Sequence, residues 1–343
     1  MKNRIRRPRG ERWGRLNRRW EQLLASRGYA RWRAMARRIW DAPLWMILMV
    51  MGVVLGSIVS YAATRSTGRA PAPEVTTTAS PSPTPQHPAT PEPTASGPGL
   101  ETFQAQVARI EARYDVQIGI AVTGVSPVGS QLTATWTAGS ISSAPAWGTI
   151  DLPIAVAANR LSTPPPNFTY MLTKSISKSS LSSDDALNSF LGDANAAAAK
   201  TDEVLRSFGD RATTVSTSSS RQGVPAFAQT DWSVSAQARF ASQLWCSSQD
   251  AMIRSRMQFV DDEHSYGFGR TIGSFIKTSE GTDEADRPVL RQVAIVPNDR
   301  AYRVGAALAV IGKKNDLADA RAAADAVASR AFFGASGVDG GHC

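Results

Sequence analysis

Histidine and cysteine are scarce in this chain of 343 residues: His87, His264 and His342 are its only histidines, and Cys246 and Cys343 its only cysteines. A zinc centre takes three or four ligands at defined spacings, and no cluster of these residues exists to supply them. His264 follows Asp261, Asp262 and Glu263, which reads as a solvated acidic loop. Two cysteines are also too few for a disulfide-dense mini-domain. Gly267-Phe268-Gly269 lacks the strand-then-helix setting of a dinucleotide loop and reads as a turn. No metal and no cofactor are therefore expected.

Excess positive charge is missing from most of the chain. The net charge is +9, yet residues 1–42 alone hold 14 Lys and Arg against three acids, a net of +11. Within that segment Trp13, Leu16, Trp20, Leu23 and Leu24 recur at helical spacing, as do Trp32, Met35, Ile39 and Trp40. A basic helix with an aromatic side suits an anionic membrane surface; a tail that only fixes topology is the alternative. No recognition motif accompanies the charge, so a nucleic-acid partner is not expected.

Long apolar runs are missing as well, with one exception. Residues 43–63, PLWMILMVMGVVLGSIVSYAA, carry no charge and match the roughly 20 residues that cross a hydrocarbon core. They are expected to form a transmembrane helix, with the arginine-rich side in the cytoplasm and the rest outside, at the cell membrane. A cleaved signal peptide, with its shorter apolar core, stays open because of Ala62 and Ala63. Residues 64–99 contain nine prolines among Ser, Thr and Ala, an extended spacer.

Residues 100–343 hold 22 basic and 24 acidic residues and have the length of one domain or two intimate lobes. Outside the membrane, Cys246 and Cys343 are expected to form a disulfide; a buried Cys246 beside a free Cys343 is the competing reading. Asn167-Phe168-Thr169 is a formal glycosylation sequon, and its flanking prolines mark a loop. Apolar spacing predicts a helix at 103–114 and a hairpin at 116–125 and 132–138. A helical block follows, with segments from about residue 150 and at 168–175, 184–191, 194–208 and 233–245. Strands at 271–277, 289–296 and 302–311 and a helix at 316–332 complete the order. Segregated strands and helices predict an α+β domain: an antiparallel sheet of about five strands, flanked by terminal helices, with an all-helical lobe inserted.

This order, together with Ala146-Trp147, Leu191-Gly192, Tyr266-Gly267-Phe268-Gly269 and Leu290-Arg291-Gln292, resembles serine β-lactamases of class A and the related penicillin-binding transpeptidases. It is similar in particular to their cell-wall-anchored actinobacterial relatives. In that family a Ser-x-x-Lys motif opens the central helix and places the lysine one turn from the serine, where it can take the serine's proton. The matching positions here are Gly148 and Asp151, so the resemblance implies a degenerate catalytic motif. The family's Ser-x-Asn motif matches Ser175 and Ser177, with Ser183-Asp184-Asp185 as a second alignment. Its Lys-Thr-Gly motif matches Lys277-Thr278-Ser279.

The resemblance therefore implies a pseudoenzyme with no catalytic residue, whose cleft at Ser175, Lys277, Thr278 and Ser279 binds a peptidoglycan peptide or another envelope protein. Two alternatives remain at this point. A relocated nucleophile would be Ser175 with Lys178, since Ser175-Ile176-Ser177-Lys178 and Ser274-Phe275-Ile276-Lys277 both fit the bare pattern. An envelope scaffold would instead act through the basic helix of residues 1–42.

Overall fold

Five antiparallel strands in the order β2-β1-β7-β6-β5 carry the described part of the chain. These are β1 Val116–Gly124, β2 Trp136–Gly139, β5 Phe275–Thr282, β6 Pro288–Pro297 and β7 Arg303–Gly312. The computed structural model describes residues 96–128, 134–298, 302–313, 317–329 and 340–343. The basic segment 1–42, the apolar segment 43–63, His87 and nearly all of the 64–99 spacer lie outside them. Among the described residues no helix is long and apolar enough to cross a membrane.

The first helix, α1 Pro98–Tyr114, begins on a proline and ends at Asp115, whose left-handed backbone returns its N–H to Glu111. With α8 Leu317–Val327 it covers one face of the sheet, where Phe103, Val107, Ala320 and Ala324 pack on Ile118, Ile120, Leu308 and Val310. The other face of β1 and β7 is covered by α6 Val234–Cys246, through Val234 and Ala238 against Ala307 and Ala309. A Cβ on Gly305 would come within 2.3 Å of the Ala238 carbonyl and 2.5 Å of the Ser242 nitrogen. Glycine is what lets this helix lie so close to the strand. Covered on both sides, β7 reads as a continuous apolar run from Val304 to Ile311, and β6 as apolar stretches on either side of Arg291 and Gln292.

Between the hairpin and β5 lies the helical lobe. Its members are α2 Asp151–Asn159, α3 Phe168–Leu172, α4 Leu181–Ser189, α5 Ala194–Ser207 and α7 Ala251–Arg256. Every residue of α2 from Asp151 to Ala158 is buried, the mark of a central helix rather than an amphipathic surface one. Asp193 caps α5 by accepting from Ala196, and Ser233 caps α6 by accepting from the Ala236 N–H. A two-stranded sheet, β3 Ser143–Pro145 with β4 Asp231–Ser233, is too short to leave a periodic trace in the sequence. The buried Arg291 fastens it to β6 by donating to Ala144 O at 2.7 Å and Trp232 O at 2.8 Å.

Several expected boundaries move, among them three that local geometry explains or the described residues limit. The strand expected at 271–277 begins only at Phe275, because Gly273 has φ +79° and Ser274 N–H bonds back to Thr271, which makes the preceding residues a turn. The helix expected at 168–175 gives way to a π-helical turn, Thr173–Ser177. Of the helix expected at 316–332, Leu317–Val327 is observed and 330–332 lie outside the described residues.

Cys246 and Cys343 are joined in a disulfide that spans 97 residues. It holds the end of α6 to the terminal segment, whose Gly341 also pairs with Arg303. A loop of this length is worth about 4–5 kcal/mol in the chain-entropy picture. Cys246→Ser is expected to lower unfolding stability by about that amount in urea titration, and reducing agent should bring the native chain to the same value.

Candidate functional site

The junction before α2 is built from Ala146, whose N–H reaches Thr230 O at 2.8 Å, and the short 3₁₀ turn Trp147–Ile150. Trp147 has φ +48°, a left-handed conformation that a bulky residue adopts only under constraint. Its indole lies against Gly281 of β5, where a Cβ would come within 2.0 Å of the ring. Arg221 completes the arrangement from outside: its guanidinium sits 5.6 Å from the indole centroid and donates to Thr282 O at 2.6 Å.

Gly148 lies outside the left-handed region, so the turn does not require glycine there. Space is what it supplies. A Cβ there would stand 2.9 Å from Asp151 Oδ2, 3.0 Å from Ser279 Oγ and 3.5 Å from Lys277 Nζ. Its N–H donates to Ser279 Oγ at 2.8 Å.

At the centre Lys277 Nζ stands 3.2 Å from Asp151 Oδ2, and neither side chain is more than 1% exposed. The ammonium also donates to Ser175 O at 2.7 Å and to Ser179 Oγ at 3.1 Å. Strand alternation sends Thr278 the other way, to His264 O and Gln292, and returns Ser279 to the site. Asp184, on α4, is nearly buried and interacts with both Asp151 and Lys277.

Burial, and then the nearby Asp184 charge, hold the Asp151 carboxyl well above its ordinary range against the attraction of Lys277. Asp184 is raised too, first by burial. Two carboxyls beside one buried ammonium titrate together rather than singly. Asp184 is also in side-chain hydrogen-bond contact with Ser175 and with Asp151.

Of the residues singled out in the sequence, Gly148, Asp151, Ser175, Lys277 and Ser279 come together. Ser177 donates to Arg256 O at 2.8 Å instead. Lys178 does not join Ser175: its Nζ lies 2.8 Å from Asp261 on the surface. Ser274 sits in the turn before β5. Ser175 and Lys277 are 0% exposed, Thr278 1% and Ser279 7%.

Two participants escaped the sequence reading. Ser179, φ +47°, is the serine whose hydroxyl faces Lys277, and a run of serines conceals it. Asp184 appeared only inside the competing alignment. The frame stretches do meet: Gln292 accepts from Phe268 N and donates to Tyr266 O. Among the described residues no group of three or more His, Cys, Asp or Glu side chains could hold a metal ion. A surface groove of about 470 Å³, lined by Leu181, Asp185 and residues 219–225, borders the site and shares Arg221 with it.

No protein-family model matches the chain, and no curated protein matches it. Solved structures do. The reconstructed last common ancestor of Gram-negative class A β-lactamases is 17% identical, with a TM-score of 0.51 over 68% of this chain and 99% of that one. The TLA-3 extended-spectrum β-lactamase is 12% identical, with a TM-score of 0.52 over 69% and 97%. A class A β-lactamase from Bacteroides cellulosilyticus DSM 14838 is 12% identical, with a TM-score of 0.50 over 68% and 98%. The globular domain therefore has the class A β-lactamase fold.

Lys277→Ala would leave two carboxyls facing each other in the interior and is expected to cost about 3–5 kcal/mol. The double variant Lys277→Met with Asp151→Leu should recover most of that in the same urea titration. The ion pair also sets a pH dependence. An acid whose pKa is raised by folding binds more protons in the folded state. In the ion-paired form, stability should therefore fall as pH rises from near 4 through the raised Asp151 titration, and Asp151→Asn should flatten that slope.

Proposed function

We propose that this chain is a membrane-anchored cell-envelope protein whose outer domain keeps the β-lactamase frame without covalent catalysis on substrates. It works by binding a wall peptide or a protein partner. One observation carries the reading: the place of the serine–lysine pair is taken by Gly148 and Asp151, and Asp151 is engaged by Lys277 in a closed site. Acyl transfer needs a nucleophile beside its base and room for the acyl carbon next to both. Gly148 offers no nucleophile, and Lys277 is committed to Ser175 O, Ser179 Oγ and Asp151.

Recognition is assigned to the open surface rather than to the buried motif positions. The groove beside α4 combines the acid Asp185, the apolar Leu181 and a polar loop, a mixture suited to a short extended peptide. Anchoring is supported by the uncharged run 43–63 and by the proline-rich spacer, which would hold the domain away from the membrane.

Two measurements on the detergent-solubilised full chain test this proposal. Incubation with fluorescent penicillin should leave every serine unlabelled, and the chain should co-sediment with purified peptidoglycan. Stoichiometric covalent labelling contradicts the loss of catalysis, and failure to sediment removes the wall as ligand in favour of a protein partner.

A further inference from the structure

The closed site places an amine against a carboxyl where neither can reach water. Lys277 Nζ is 3.2 Å from Asp151 Oδ2 with both side chains buried, and a second carboxyl, Asp184, faces them from α4. Water is the usual competitor at an acyl carbon and is also the by-product of amide formation, so its exclusion favours condensation. The reacting groups sit on different elements of a rigid frame, β5 and the first turn of α2. Fixed geometry of this kind corresponds to effective concentrations of about 10⁵–10⁸ M in well-oriented intramolecular reactions.

The geometry points to an intramolecular amide between Lys277 Nζ and Asp151 Cγ, formed by the protein itself with Asp184 as general acid and base. Burial favours neutral partners over an isolated charge, and the raised Asp151 carboxyl supplies the protonated acid. Proton transfer from the Lys277 ammonium to Asp151 Oδ2, 3.2 Å away, gives the free amine beside the protonated acid. The freed nitrogen attacks Cγ and a C–N bond forms. The C–O bond to the departing hydroxyl then breaks as the nitrogen's second proton reaches it by way of Asp184, which is in hydrogen-bond contact with Asp151, and one water leaves. No oxidant or further reactant is needed. The amide keeps one N–H, and the Ser175 carbonyl at 2.7 Å from Nζ is placed to accept it.

Such a bond would join the helical lobe to the sheet. Because Cys246 lies between Asp151 and Lys277 in the chain, the amide loop and the disulfide loop would overlap, and everything from 151 to 343 would be covalently closed. The inference goes beyond the binding role and does not need it, since penicillin labelling and amide formation are read separately.

Peptide mapping by mass spectrometry of the native full chain is the test. The expected result is a branched peptide, lighter by one water than its two parts, joining the Asp151 segment to the Lys277 segment, with tryptic cleavage after Lys277 blocked. Separate unmodified peptides overturn the proposal. So does loss of water confined to the Asp151 peptide, which would be a cyclic imide. The near-isosteric Asp184→Asn, checked for disulfide formation and native circular dichroism, should slow the cross-link by about 100-fold or more. Unchanged cross-linking in that variant overturns the role of Asp184.

Discussion

A lysine side chain folded into the protein interior is the constraint on which the site depends. Removing one ion from water costs several kcal/mol even after relaxation, and only a well-placed partner offsets it. β5 alternation puts Lys277 under the start of α2, so the helix must present an acceptor there. Asp151 is that acceptor, and as the first residue of α2 it also meets the positive end of the helix dipole. Gly148 then follows from space, since any side chain would press on Asp151 and Ser279. Ser279 follows as well, because its hydroxyl satisfies the Gly148 N–H. Gly148, Asp151, Lys277 and Ser279 thus depend on one another.

Closure from outside has its own chain of causes. Trp147 adopts its strained backbone because the indole is clamped between Gly281 and Arg221, and Arg221 is in turn anchored on Thr282. A strained residue beside a closed site is held by surroundings that over-determine it. Behind β5 the frame is tied by Glu280, which pairs with Arg321 at 2.7 Å and accepts from Tyr266. Site and scaffold thus meet on one strand, and its two faces carry different duties.

The fold was largely legible in the sequence because the signals that matter there are long. The apolar run of β7 and the helical spacing in α1 mark their elements plainly, and the distant cysteines pointed to their bond. Gly148 and Asp151 were legible as the residues standing where the resemblance expects serine and lysine. What stayed hidden depended on three-dimensional contact. No spacing rule reveals that Asp151 would find Lys277, more than a hundred positions away, or that Ser179 rather than Ser175 would offer its hydroxyl. The β3–β4 pair was too short to read, and the turn at Gly273 displaced a strand boundary because local turn chemistry outweighed apolar composition.

Lys277 is sealed inside the folded domain, with its side chain 0% exposed. Lysine acetylation footprinting of the native full chain measures this directly. Lys178 and Lys313, with side chains 44% and 52% exposed, should be modified readily while Lys277 stays unmodified. Acetylation of Lys277 at a rate comparable to theirs, in the folded chain, would contradict it.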